Sequence, residues 1–141
     1  MKPTLSSIQE AAYKALEGKT LREVFKQVQQ HLLTQGMQSK GEDASGIVRC
    51  MYRGPEELKC AVGCLIADED YRPSMEGEYI YPCHEFQNID ELGPELEINS
   101  EAQYLYMLSR LQAVHDTVAP DQWQTELERL EQHLFTVKGF E

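Results

Sequence analysis

The chain has 141 residues and a mass of 16.2 kDa, with 41% hydrophobic residues, 26% charged residues and a formal charge of −11. That length suits a single domain over 1–141 with a core of its own, and the apolar content is too high for a disordered chain. The acidity argues against a sequence-independent grip on nucleic-acid phosphates, and no apolar run approaches the roughly 20 residues of a bilayer-spanning helix.

Met1-Lys2-Pro3-Thr4 opens no signal peptide, so the expectation is a cytoplasmic protein that meets no membrane. Ser6-Ser7-Ile8-Gln9 reads as the cap of a short helix, with Ile8, Ala11, Ala12, Ala15 and Leu16 on one face and Gly18 after its end. Thr20-Leu21-Arg22-Glu23 is a capping box: the Thr20 hydroxyl takes a free amide of the first turn and Glu23 reaches back. The helix it opens carries Leu21, Val24, Phe25, Val28 and Leu32 at helical spacing, and Gly36 is placed to end it.

Residues 37–46 are rich in turn formers and read as a loop. Ile47 to Tyr52 is the best strand candidate, with a turn at Arg53-Gly54-Pro55-Glu56. The apolar run Cys60 to Ile66 is too short to type by period, and serves as a second strand or two turns of buried helix. Glu78 to Tyr81 is a weaker strand, stopped by Pro82.

The C-terminal third returns to helical spacing. Asn99 or Ser100 caps a helix with Tyr104, Leu105, Leu108, Leu111 and Val114 inward, and Pro120 sits in the first turn of a last helix bearing Trp123, Leu127, Leu130 and Leu134. A join of about five residues favours an antiparallel pair. The expected fold is α+β: a predominantly helical single domain of about four helices, with a small hairpin or sheet within residues 47–81.

Four cysteines fall within residues 50–83. Cys50, Cys60, Cys64, Cys83 and His84 are the candidate metal ligands, because thiolates and imidazole suit zinc, although the spacing matches none of the usual knuckles. Packing competes with that reading, since free cysteines behave as small buried hydrophobes. A third reading makes Cys60 a nucleophile favoured by Lys59, with His84 or His115 as base. Asp116 does not readily orient His115 there, because adjacent helical residues point about 100° apart. His115-Asp116 otherwise reads as a helix end turning toward Pro120. His31 and His133 stand among polar neighbours and read as exposed and inert.

The string Tyr52-Arg53-Gly54-Pro55, Lys59-Cys60-Ala61-Val62-Gly63-Cys64-Leu65-Ile66 and Asp68-Glu69-Asp70-Tyr71-Arg72-Pro73-Ser74-Met75-Glu76-Gly77 resembles a family of small uncharacterised proteins of bacteriophage and prophage genomes. The resemblance resumes at Leu111 to Asp116 and at Trp123, and covers roughly Leu21 to Leu134. It implies a setting, a phage or prophage product in a bacterial cytoplasm, and carries over no chemistry.

Residues 67–101 hold eleven acids and one base, Arg72, which is −10 of the chain's −11. The stretch reads as a solvated face, as a docking surface for a basic partner, or, at Asp68-Glu69-Asp70, as oxygen ligands for calcium without the EF-hand pattern. The functional expectation is non-enzymatic. It is a small acidic phage-type protein that binds and modulates a host protein, one that itself binds nucleic acid, through Asp68, Glu69, Asp70, Tyr71, Glu76, Glu78, Tyr79 and Glu85. The alternative is a zinc-binding or cysteine-dependent protein centred on Cys50, Cys60, Cys64, Cys83 and His84.

Overall fold

A computed structural model describes residues 6–42, 45–78, 80 and 100–140. The expectations on Tyr79, Tyr81, Cys83, His84, Glu85 and Asn99 lie outside these residues. Among those described there are four α-helices: α1 (Ser7–Lys14), α2 (Leu21–Gln35), α3 (Ser100–Thr117) and α4 (Trp123–Gln132). One antiparallel ribbon joins β1 (Lys40–Glu42) to β2 (Val48–Cys50). The α+β, mainly helical class follows from these elements.

Both N-terminal caps form as the residues dictate. The Ser6 hydroxyl accepts from the Gln9 amide while the Gln9 side chain accepts from the Ser6 amide, and Thr20 and Glu23 repeat the exchange at 3.1 and 2.9 Å. Gly36 ends α2 in the left-handed region, φ 66°, where a side chain is disfavoured. At the last helix, Pro120–Gln122 makes a 3-10 turn into α4, and residues His133–Val137 loosen into a π turn that still buries Leu134.

The core lies between α2, α3 and α4, which pack on one another. Phe25, Val28 and Leu32 of α2, Leu108 and Leu111 of α3, and Trp123 and Leu127 of α4 are fully buried, each contributing about 1.5–3 kcal/mol on leaving water. Residues 104–108 of α3 are buried without a break, including Tyr106 and Met107. A helical stretch buried on every side lies at the centre of the domain, and the exposed Arg110, Asp116 and Thr117 come in the helix's later turns. α1 is sewn onto it: Ile8 and Ala12 are buried, and the Tyr104 hydroxyl donates to the Ala12 carbonyl at 2.6 Å.

The sheet differs from expectation. Its first strand comes from the stretch read as a loop, and its register is Lys40 with Cys50, Gly41 with Arg49 and Glu42 with Val48. Pairing is made by main chain, so polar Lys-Gly-Glu suffices in an exposed ribbon that no apolar alternation announces. The run Cys60 to Ile66 is neither strand nor α-helix but a turn followed by a 3-10 helix at Gly63–Leu65. Its shape is set by close approach: a Cβ on Gly63 would stand 1.8 Å from the Tyr52 carbonyl oxygen. A single bridge, Arg53 with Lys59, closes the turn between, and inside it Glu56 and Glu57 both hold positive φ, 60° and 63°. After the 3-10 helix Pro73–Gly77 the chain is extended at Glu78.

Candidate functional site

The segment that carries the string from Tyr52 to Glu78 folds largely onto itself. Glu76 lies at its centre, its carboxylate accepting from the Tyr52 amide at 2.9 Å, the Arg53 amide at 3.1 Å and the Tyr71 hydroxyl. The Arg53 guanidinium donates to the Ile66 carbonyl and to Asp68 Oδ1 and lies over the Tyr71 ring. Glu78 reaches across to α1, where Oε1 accepts from the Ile8 amide at 2.9 Å and the Ser7 hydroxyl at 2.8 Å, placing a carboxylate on the positive end of that helix.

These contacts engage part of the expected docking set within the fold. Glu76 and Glu78 are used inside the fold, Tyr71 is turned onto Glu76, and Asp70 pairs with Lys14 at 3.0 Å. The reason is that a carboxylate with amide donors in reach gains more from them than from water when partly buried. Asp68, with a side chain 82% exposed, and Glu69 do face solvent. Asp68 and Asp70 also each hold a cation of the protein, Arg53 and Lys14, which speaks against the calcium reading.

The cysteines are likewise redistributed. Cys60 is fully buried, its sulfur accepts from the Gly63 amide, and burial pushes its thiol far up from the ordinary value. A thiol so held disfavours the thiolate that a nucleophile needs. Cys64 donates to the Ala61 carbonyl at 3.1 Å, and burial pushes its thiol up to about 12. These two serve their own turn, so among the described residues Cys50, Cys60 and Cys64 are not gathered into one ligand set. His31 also departs from expectation, being half-buried with Nε2 3.0 Å from the Lys59 carbonyl.

Cys50 instead joins His115 and Asp116. Among the described residues these three form a group whose ligand atoms, Sγ, a ring nitrogen and a carboxylate oxygen, all lie within 4.8 Å of one another. His115 is fully buried on the last turn of α3, its ring stacked on Trp123 at 5.6 Å. The Ser39 amide points at Nε2 from 2.8 Å, and Asp116 Oδ1 lies 2.7 Å from Nδ1. A backbone N–H only donates, so Nε2 accepts and the ring proton sits on Nδ1, donating to Asp116. Gln112 donates to the same carboxylate at 2.9 Å. The Cys50 thiol bonds Asp116 as well, and burial, followed by the Asp116 charge, pushes it up to about 11.

Asp116 therefore does orient His115, contrary to the argument from helical angles. Nδ1 is the ring nitrogen nearer the backbone, and a short neighbouring side chain at a helix end reaches it. The signal available in the sequence was the pair itself at a helix C-terminus; its partners, 65 residues or more away in Ser39 and Cys50, had none. Gln38 completes the joint by donating to the His115 carbonyl at 2.8 Å, satisfying an end of α3 that has no intrahelical donor.

No protein-family model, curated protein or solved structure matches the chain. Among the described residues no helix is long and apolar enough to cross a membrane.

Proposed function

We propose that the chain is a small acidic docking protein, of phage type as its resemblance implies, that binds and modulates a host protein with a basic, nucleic-acid-binding surface. The observation that carries this reading is one corner of the fold. Glu56, Glu57, Asp68 and Glu69 are all exposed, and the turn that carries Glu56 and Glu57 is tied to Asp68 by its flanks Arg53 and Lys59, at 2.8 and 4.0 Å. Carboxylates displayed together focus a negative potential that speeds association with a cationic partner and stands in for phosphates. Of the docking set, Glu76 holds the Tyr52 and Arg53 amides, Glu78 and Asp70 reach α1, and Asp68 and Glu69 face outward with Glu56 and Glu57.

Capture of bacterial host proteins by the intact chain, compared with the variant Glu56→Lys/Glu57→Lys/Glu69→Lys, tests it. The expected result is loss of a captured basic protein and a flatter salt dependence for whatever remains. Equal capture by wild type and variant, both folded by circular dichroism, overturns the reading.

A further inference from the structure

The trio at the end of α3 is packed around two protons. The Cys50 thiol and the His115 Nδ1–H both point at the Asp116 carboxylate, and the three heavy ligand atoms lie within 4.8 Å of one another. Tetrahedral zinc holds its ligands at about 2.0–2.3 Å, which places neighbouring donor atoms some 3–4 Å apart, so the 2.7 Å Nδ1–Oδ1 contact widens and side-chain rotation brings the three donors to one centre. We propose that Cys50, His115 and Asp116 bind one divalent ion of the zinc class in place of those protons, with water on the side where Asp116 reaches solvent.

The donor set selects the ion. A thiolate and an imidazole favour a borderline-soft metal, whereas calcium and magnesium take oxygen alone. His115 is held by its stack on Trp123, and Gln112 steadies the Asp116 carboxylate, so two of the three ligands are already oriented. Lys40, opposite Cys50 in the ribbon, is a cation whose charge favours the thiolate.

Binding has a proton balance and a structural consequence. The thiol proton leaves to solvent, and the imidazole proton passes from Nδ1 to Nε2, so one proton is released per ion. Nε2–H then faces the Ser39 N–H, and two donors cannot share that contact. Ser39 must part from His115, which couples the ion to the start of β1. The lost bond weakens affinity by about tenfold to a hundredfold, leaving a dissociation constant on the order of micromolar.

The test is titration of the metal-free full-length chain with Zn²⁺ against a chromogenic indicator, repeated with Co²⁺ and by amide NMR. The expected result is one ion per chain, a cobalt–thiolate charge-transfer band, one proton released, and a shift of the Ser39 amide resonance. Cys50→Ser abolishes the band and weakens zinc more than tenfold. Absence of binding at tenfold excess of Zn²⁺ overturns the proposal. So does binding that Cys50→Ser leaves unchanged, because the ion then sits elsewhere. Should Cys50→Ser fail to fold, Asp116→Asn decides, with unchanged zinc affinity again overturning it. Neither variant touches the acidic corner, so failure here leaves the docking reading standing on its own test.

Discussion

The Ser39 amide and the His115 ring meet at 2.8 Å in a fully buried contact, 76 residues apart in the chain. It ties the first residue before the ribbon to the last turn of the central helix. One backbone donor thereby decides which nitrogen of the imidazole carries the proton.

Replacing His115 with phenylalanine keeps the stack on Trp123 but removes the acceptor of Ser39 and the donor to Asp116. His115→Phe should lower unfolding stability by about 2 kcal/mol, the penalty of a buried amide left unpaired. Urea denaturation followed by the fluorescence of Trp123, the single tryptophan, reads it directly. A midpoint equal to wild type would show the contact to be energetically idle.

Gly63 has no room for a methyl group. A Cβ there would overlap the Tyr52 carbonyl oxygen at 1.8 Å and its carbon at 2.6 Å, both backbone atoms that cannot rotate away. Gly63→Ala should therefore destabilise by about 3 kcal/mol or more and loosen the packing of Cys60 and Leu65, measured as a fall in melting temperature. A melting temperature within a degree of wild type would contradict the close approach.

Glu76 is placed to be read by two amides at once. Glu76→Gln keeps the shape but offers one acceptor oxygen and turns an NH₂ toward a donor. We expect a loss of about 1–3 kcal/mol, together with faster amide exchange at Tyr52 and Arg53. Unchanged exchange at those two amides would remove Glu76 from its structural role and return it to the docking face.

The thiols supply a pH dependence. Cys50, pushed up to about 11, is about a thousandth thiolate at pH 8, so it should react with iodoacetamide far more slowly than an unfolded thiol. Cys50 and Cys64 hold their protons more tightly in the fold than in the unfolded chain, where thiols titrate near 9. The stability they contribute is complete below pH 9 and is lost as pH rises toward about 11 and 12. Thermal melts from pH 8 to 11 should show the fall, and Cys50→Ala should flatten it; an alkaline profile identical in that variant would assign the fall to other groups.

What could be read from the sequence was what neighbours in the chain decide. Ser6 with Gln9, Thr20 with Glu23, Gly36 and the spacing of Trp123, Leu127, Leu130 and Leu134 all act within one or two turns, and each took the expected place. The class, packed helices with a small ribbon, followed from them. The ribbon's first strand did not, because Lys40 to Glu42 pairs through main chain that any residues provide. The candidate site was less legible still. Glu76 meets residues 23 and 24 positions away, Glu78 meets Ile8 across 70, and Cys50 meets Asp116 across 66. Composition located the charge but could not tell a carboxylate facing solvent from one gripped by amides.

The turn that displays Glu56 and Glu57 carries a genetic implication. Each residue holds a left-handed backbone that disfavours any side chain by roughly 1–2 kcal/mol, and each glutamate codon is one nucleotide change from glycine. Relief is therefore always one mutation away. A randomised library of this gene selected for heat resistance alone should accumulate Glu56→Gly and Glu57→Gly early, whereas a library selected for partner capture should reject both. The contrast between the two selections measures what the acidic corner is worth to its bearer.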